Sequence, residues 1–256
     1  MSVRARTLFL AAVIAAAASV ACGGGETQPA SAPPPAAAPV TNPVDPATAA
    51  TITGTVTLEG KPPTAEPINL ASDDYCAKQG SKTTRTFVVD GRGLQNVFVY
   101  VKDGLGNLKF PVPTTPAVLD QQGCWYEPRV FGIQVGQPLD ILNSDETLHN
   151  VHAIPMANRE FNRGLALKGL KFTTTFTAPE VMVPFKCDVH KWMNAWIGVV
   201  AHPFYATSAA GGTFSLKGLP PGTYTIEAWH EKLGTMTQMV TLGAKETKPI
   251  TFTFKV

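Results

Sequence analysis

Residues 181–201 read VMVPFKCDVHKWMNAWIGVVA and contain two apolar segments on either side of a short polar loop. Both segments are short and rich in valine, isoleucine and aromatic residues, which is typical of β-strands. The loop carries a thiol, an imidazole and a thioether at C-x-x-H-x-x-M spacing, as Cys187, His190 and Met193. This stretch therefore predicts two neighbouring strands whose connection presents three metal-ligand side chains.

A second source of imidazole lies upstream, where residues 148–152 read LHNVH. Two histidines, one cysteine and a weak axial methionine form the ligand set of a type 1, or blue, copper site. Successive strand residues point to opposite faces, so His149 and His152 cannot both face one metal. The residues alone leave either histidine as the possible ligand. They also leave open a metal-free β-sandwich in which the cysteine and the histidines have this spacing by chance. His202 and His230 stand alone and are predicted to be structural.

The chain beyond residue 50 consists of short segments rich in threonine, valine, isoleucine and aromatic residues, separated by glycine and proline. Such a pattern is typical of β-sandwiches. The predicted strands are 52–58, 97–101, 131–142, 172–176, 181–187, 196–201, 213–216, 224–229, 236–242 and 250–256. Only 157–167 suggests a helical period, and it is predicted to form a loop or short helix. The predicted fold class is all-β.

The beginning of the chain predicts export. Arg4 and Arg6 precede an apolar run at 8–20 that is too short to cross a bilayer comfortably. The run ends in SVAC, which resembles a bacterial lipobox and implies a signal peptide over 1–21 and a lipidated Cys22. The alternative is an ordinary secretory peptide cut nearby; both interpretations export the chain.

Residues 22–50 are rich in proline and alanine and predict an extended tether between the lipid and the folded part. Gly23 after the cysteine favours the outer membrane of a bacterium with two membranes, with the protein on the periplasmic side. Removal of Arg4 and Arg6 leaves equal numbers of basic and acidic residues. This equal balance gives no excess of positive charge that would indicate binding to nucleic acid.

Two further cysteines, Cys76 and Cys124, remain once Cys22 and Cys187 are assigned. In an exported protein they are candidates for a disulfide, and two buried free thiols are the alternative. The sequence contains no C-x-x-C-H, so covalent c-type haem is not indicated.

The segment 116–202 resembles the cupredoxin family, in its plastocyanin- and amicyanin-like branch. The resemblance rests on the C-x-x-H-x-x-M loop, the HNVH string and the run GQPLDILN at 136–143. It implies a Greek-key β-sandwich that binds one type 1 copper. The implied copper ligands are His149, Cys187, His190 and Met193. It also implies that Asn150 ties the two ligand loops together and that His190 reaches the surface through an apolar patch.

This chain departs from the family at the two residues that flank His190. Cupredoxin loops commonly carry proline before this histidine, and some also carry one after it, whereas Val189 and Lys191 stand here. Both keep a backbone N–H that proline lacks. We therefore predict that the Val189 amide donates to the sulfur of Cys187 and raises the reduction potential.

The C-terminal run GGTFSLKGLPPGTYTI at 211–226 resembles the carboxypeptidase-regulatory-like family, and GTV at 54–56 matches the start of that family. The predicted organisation is a small regulatory-like sandwich made of 51–110 and 204–256, with the cupredoxin domain, 111–203, inserted between its strands. The alternative is one continuous cupredoxin with a C-terminal appendage.

These features favour a membrane-anchored one-electron carrier over an enzyme, because the five histidines include no H-x-H pair for additional coppers. Transient contact with a c-type cytochrome or a membrane oxidoreductase is expected. The alternatives are a copper carrier or storage lipoprotein, and a metal-free sandwich that binds carbohydrate or mediates adhesion.

Overall fold

The computed structural model describes residues 41–256. The predicted signal peptide 1–21, Cys22 and most of the predicted tether 22–50 lie outside the described residues. Within the described part nearly all regular structure is β-strand, which confirms the all-β fold class. None of the helices between residues 41 and 256 is long and apolar enough to cross a membrane.

The elements follow one another in a long series of short strands. The strands are β1 (Ala50–Glu59), β2 (Val89–Asp90), β3 (Gly93–Leu94), β4 (Phe98–Asp103), β5 (Ala117–Gln122), β6 (Trp125–Glu127), β7 (Val130–Gln134), β8 (Pro138–Asn143), β9 (His149–Ala153), β10 (Phe161–Leu165), β11 (Lys171–Thr175), β12 (Glu180–Lys186), β13 (Asn194–Val200), β14 (Tyr205–Thr207), β15 (Thr213–Leu219), β16 (Gly222–His230), β17 (Gly234–Leu242) and β18 (Thr247–Lys255). The helical elements are α1 (Asp74–Ala77) and a 3-10 turn at Ala210–Gly212.

The strands pair into four sheets. Two of them, ordered β10-β9-β12-β13-β7 and β11-β8-β5-β6, contain only strands from 117–200, and we call them the central region. The other two, β15-β1-β3-β2 with β18 beside β1 and β14-β4-β16-β17, draw their strands from 50–103 and 205–255, and we call them the flanking region. The predicted domain boundaries remain predictions.

Each region has its own apolar core. In the flanking region β1 buries Ile52 and Val56, and it pairs antiparallel with β15 and parallel with β18. In the central region β8 buries every second residue, including Leu139 and Ile141, as expected for a strand with one face in a core. Cys187 lies in this second core, so the predicted metal loop is anchored to the central region.

The two regions meet at a close approach between β13 and β4. A Cβ atom at Gly198 would lie 2.3 Å from the Phe98 ring, so only glycine fits there. Phe98 and Val200 belong to a small apolar cluster that joins the two regions. This contact supports the strand that leads away from the metal loop.

The structure corrects several predicted elements. The loop or short helix expected at 157–167 is wrong, because 161–165 form β10, which pairs antiparallel with β9. The strand predicted at 131–142 is two strands, separated by a turn at Gly136 with a φ of 82°. Strands β2, β3, β5, β6, β9 and β14 were also not predicted. The described end of the predicted tether is not a freely extended segment, because the chain turns at 46–48 and Val44 is buried in the flanking core.

Candidate metal centre

The Cys187 loop is closed by its own backbone between β12 and β13. The Cys187 amide donates to the Met193 carbonyl at 3.1 Å, and the Met193 amide donates to the His190 carbonyl at 2.9 Å. The His190 amide lies 3.3 Å from the Cys187 sulfur. These bonds turn the chain back within seven residues, so that the sulfur and the His190 ring face the same side.

His149 reaches this loop because β9 pairs with β12. The register places Ala153 opposite Phe185, so the start of β9 lies beside the end of β12. The Nδ1 atoms of His149 and His190 are 2.9 Å apart, and the Cys187 sulfur is 3.9 Å from Nδ1 of His190. The ligand atoms of the three residues all lie within 4.8 Å of one another. The relative exposures of His149 and His190 are 0% and 1%.

This cluster fits one metal ion. Two nitrogens bonded to the same ion at about 2 Å lie at most about 4 Å apart, and a sulfur and a nitrogen lie at most about 4.3 Å apart. The 2.9 Å between the two Nδ1 atoms and the 3.9 Å between the Cys187 sulfur and Nδ1 of His190 fall inside these limits. Met193 is completely buried in the same apolar core as Cys187. The predicted residues therefore supply a donor set of the type that suits copper.

Two other groups in residues 41–256 bring His, Cys and acidic side chains together, Asp73 with Cys76 and His190, and Cys124 with Asp145 and His149. Their cysteines are joined to each other in a disulfide, with Cα atoms 5.8 Å apart. Cys187 is the free cysteine of the described residues. The thiolate-bearing group is thus the one predicted from the sequence.

Asn150 connects the two ligand-bearing segments. Its Oδ1 accepts from the amides of Asp188 at 2.7 Å and Val189 at 3.3 Å, and lies 3.2 Å from the Cys187 sulfur. Its own amide donates to Asn162 at 2.7 Å. One side chain therefore fixes the loop relative to β9.

His152 lies away from the cluster. Its Nδ1 is 3.0 Å from Asp188 and its Nε2 is 2.7 Å from Glu160, at the protein surface. Its position follows from β9, which turns His149 inward and His152 outward. The structure therefore separates the two histidines between which the residues alone had not decided.

The buried carboxylate of Asp145 holds the far side of the His149 ring. Its Oδ2 is 2.9 Å from Nε2 of His149 and also accepts from the Cys124 amide at 2.7 Å. Its Oδ1 accepts from the amide of Gly123 at 2.7 Å and from the Tyr75 hydroxyl at 3.1 Å. Such a partner keeps the proton on Nε2 and leaves Nδ1 for a metal.

The electrostatics favour the thiolate. Burial by itself raises the pKa of Cys187, but the neighbouring imidazoles of His149 and His190 outweigh it and lower this pKa to about 6. Burial by itself lowers the pKa of His149, whereas the hydrogen bond with Asp145 raises it above its ordinary value. The sulfur is thus prepared to act as an anionic ligand.

The expectation that His190 reaches the surface is wrong in this structure. Its ring is covered by α1, with Nε2 at 3.3 Å from Oδ2 of Asp73 and 3.8 Å from the Cys76 sulfur. The partly exposed indole of Trp192 lies 5.0 Å from the His190 ring, centroid to centroid. Its Nε1 donates to the Cys124 carbonyl at 3.0 Å.

The proposed bond from the Val189 amide to the sulfur is also wrong. That amide donates to Asn150 at 3.3 Å, and the His190 amide lies nearest the sulfur instead. A tight turn brings the third residue after the cysteine, not the second, back over the sulfur.

Two carboxylates at the centre were not predicted. Asp145 stands four residues before His149, and that spacing was a signal that could have been used. Asp73 lies far upstream of either ligand segment and gives no signal in the sequence. Only the folded chain brings it to the His190 ring.

Comparison with solved structures gives partial, low-scoring likenesses to copper proteins. A copper-containing nitrite reductase from Thermus scotoductus SA-01 is 21% identical over 44% of this chain, with a TM-score of 0.31, and the match spans 25% of that reductase. A Cu(I) form of an amicyanin variant is 23% identical, with a TM-score of 0.31. That match covers 34% of this chain and 85% of the amicyanin chain. A purple cupredoxin from Nitrosopumilus maritimus is 22% identical, with a TM-score of 0.28. That match covers 32% of this chain and 98% of the purple cupredoxin chain. No family model and no curated protein matches the chain.

Proposed function

We propose that this chain is a mononuclear type 1 copper protein that carries single electrons. The observation that carries the proposal is the convergence of the Cys187 sulfur with the Nδ1 atoms of His149 and His190, within 4.8 Å and shielded from solvent. His149, Cys187, His190 and Met193 are the residues that would hold the copper ion. When bound, copper supplies a one-electron couple between Cu(I) and Cu(II).

The surrounding residues suit this role because they limit movement of the ligands. The loop is closed by backbone bonds, and Asn150 ties it to β9. The His149 ring is fixed by Asp145. Rigid ligands keep small the structural change between the two oxidation states. The same burial opposes rapid metal exchange, which a copper carrier or storage protein would need.

The route of the electron is proposed to include Trp192. His190 is buried, and the indole beside it extends towards solvent. A redox partner that contacts this edge would be a c-type cytochrome or a membrane oxidoreductase, bound through a small and short-lived interface. We expect Trp192→Leu to slow oxidation of the reduced protein by ferricyanide and to leave its visible spectrum unchanged. An unchanged rate would place the exit elsewhere.

The decisive experiment is copper loading of the full-length protein. Addition of Cu(II) to the wild type is expected to give an intense visible thiolate-to-copper band and a narrow copper hyperfine splitting in EPR. Cys187→Ser should lose the band, and the matched surface variant His152→Ala should keep it. A wild type without the band contradicts the proposal.

Anchoring to the periplasmic side of a membrane by lipid on Cys22 is a separate part of the proposal, and it rests on the SVAC sequence. Labelled palmitate should enter the wild type and not Cys22→Ser. Label in neither protein would leave a secreted, unanchored carrier.

A further inference from the structure

A loop from the flanking half of the sequence closes over the metal centre; we call this loop, residues 66–84, the cap. Its base is held by two antiparallel backbone bonds, from Ile68 to Lys82 and from Thr84 to Glu66, each 2.9 Å long. Its tip carries α1. The cap is thus a defined element that projects from the chain between β1 and β2.

The cap is attached to the central region at several points around the His190 ring. Its Cys76 is bonded to Cys124, and its Tyr75 hydroxyl donates to Asp145. Leu70 is buried in the central core together with Cys187. Although the cap lies among flanking residues in the sequence, it packs against the metal centre.

Asp73 uses its two carboxylate oxygens for different purposes. Oδ1 accepts from the Cys76 amide at 2.8 Å and so caps the start of α1. Oδ2 accepts from the Thr147 hydroxyl at 2.6 Å and lies 3.3 Å from Nε2 of His190. An N-cap needs one oxygen only. The second oxygen is shared between the Thr147 hydroxyl, which fixes its position, and the imidazole of His190.

We propose that Asp73 is a positioning residue for His190, delivered to the metal centre by the disulfide-bonded cap. The inference rests on the proposed function, in which His190 is a copper ligand. The carboxylate holds the proton of the ring on Nε2 and keeps Nδ1 directed at the centre. Cys76 covers the same edge and excludes water from it.

Two measurable consequences follow from this arrangement. A carboxylate 3.3 Å from Nε2 attracts the ring proton and makes the imidazole a stronger donor, which favours Cu(II) and lowers the reduction potential. A ring held between Asp73 and Cys76 also cannot swing out to release the metal. Loss of such a partner is expected to weaken metal affinity by about 10- to 100-fold.

The test compares Asp73→Ser with Asp74→Ser in the full-length, copper-loaded protein. Serine is a good N-cap, so α1 is retained while the contact with His190 is lost. We expect Asp73→Ser to raise the reduction potential and to release Cu(I) to bicinchoninate faster, by about 10-fold or more. Asp74 is exposed and has no part in the contact, so Asp74→Ser should behave as the wild type.

Asp73→Asn is the second variant, because it preserves both the volume and the cap of α1 if the serine variant does not fold. It should shift the potential in the same direction by a smaller amount, since only the charge is removed. A Cys76→Ser/Cys124→Ser double variant should reproduce the effect of Asp73→Ser, because the cap is then released.

The outcomes separate the two proposals. If the wild type lacks the thiolate-to-copper band, both the function and this inference fail. If the band is present and Asp73→Ser and Asp73→Asn keep the wild-type potential and release rate, only the role of Asp73 is overturned. A double variant with wild-type behaviour would overturn the role of the disulfide in delivering it.

Discussion

The central region holds three histidines, of which His149 and His190 are fully buried, and the flanking region holds His202 and His230 in a different way. In the central region His149 and His190 turn Nδ1 towards a thiol and Nε2 towards a carboxylate. Beside the flanking sheets, His202 and His230 place Nε2 against backbone carbonyl oxygens, at 2.8 and 3.0 Å. Burial lowers the pKa of both flanking histidines. Burial alone therefore does not mark a ligand; convergence on a thiol does.

The largest difference between the two pairs should appear in copper binding. His149→Ala is expected to abolish the thiolate-to-copper band, because one of the two imidazoles that would hold the copper is lost. His230→Leu should keep the band at the wild-type intensity. Visible spectra of both variants after Cu(II) addition check this, and a band that survives His149→Ala would contradict the assigned ligand.

The next largest effect concerns Asp145, the carboxylate beside His149. Asp145→Asn exchanges one of the two acceptor oxygens for a donor, so the four groups that the carboxylate binds, including His149, cannot all keep a partner. We expect copper affinity to fall by about 10- to 100-fold, measured by competition with a chelator. Asp140→Asn is the matched control and should bind as the wild type, because Asp140 lies on the outward face of β8 and bonds to Lys171 and Thr173 of β11.

The flanking histidines should contribute stability without copper chemistry. Nδ1 of His230 accepts from the Lys232 and Leu233 amides, and Nε2 donates to the Thr86 carbonyl. His230→Leu leaves these groups without a partner and should cost about 1–3 kcal/mol of unfolding free energy. Guanidinium denaturation of the copper-free wild type and variant measures this difference in the free energy of unfolding. Met156→Ala, at a side chain that is 97% exposed, should change the free energy of unfolding by no more than about 0.5 kcal/mol.

The smallest effect is a pH dependence from the same residue. Burial lowers the pKa of His230 in the folded state, with Arg129 lowering it further and Glu231 opposing. The unfolded chain then binds the proton first, so this contribution is complete above the unfolded pKa of about 6.5 and is lost as pH falls towards the folded pKa. The stability difference between wild type and His230→Leu should shrink between pH 7.5 and 5.5, by at most about 1.4 kcal/mol per pH unit. A constant difference would show that His230 does not titrate there.

Much of the central region was predictable because its signals are local. Short segments rich in β-branched residues gave most strands, and the spacing of Cys187, His190 and Met193 gave the loop. Strand alternation separated His149 from His152 in principle. The wrong prediction for β10 also has a local cause. This strand has only one buried residue, Leu165, so its sequence lacks the apolar pattern of a strand.

The cap could not be predicted, because nothing near residue 73 indicates a partner more than a hundred residues away. Contacts of that separation depend on how the sheets are arranged, and a sequence pattern of period two does not encode that arrangement. The same reason explains why the exposure of His190 was wrongly predicted. The loop has the residues of an exposed ligand, and a distant segment covers it.

The sequence by itself determined the all-β class, the chemistry of the ligand set and the place of Cys187, His190 and Met193 in one loop, because short-range spacing decides each of them. Tertiary structure alone decided that His149 meets that loop, that Asp145 and Asp73 hold the two rings, and that the disulfide of Cys76 and Cys124, a candidate from the sequence, lies over His190. Those contacts join segments that only the packing of the sheets brings together.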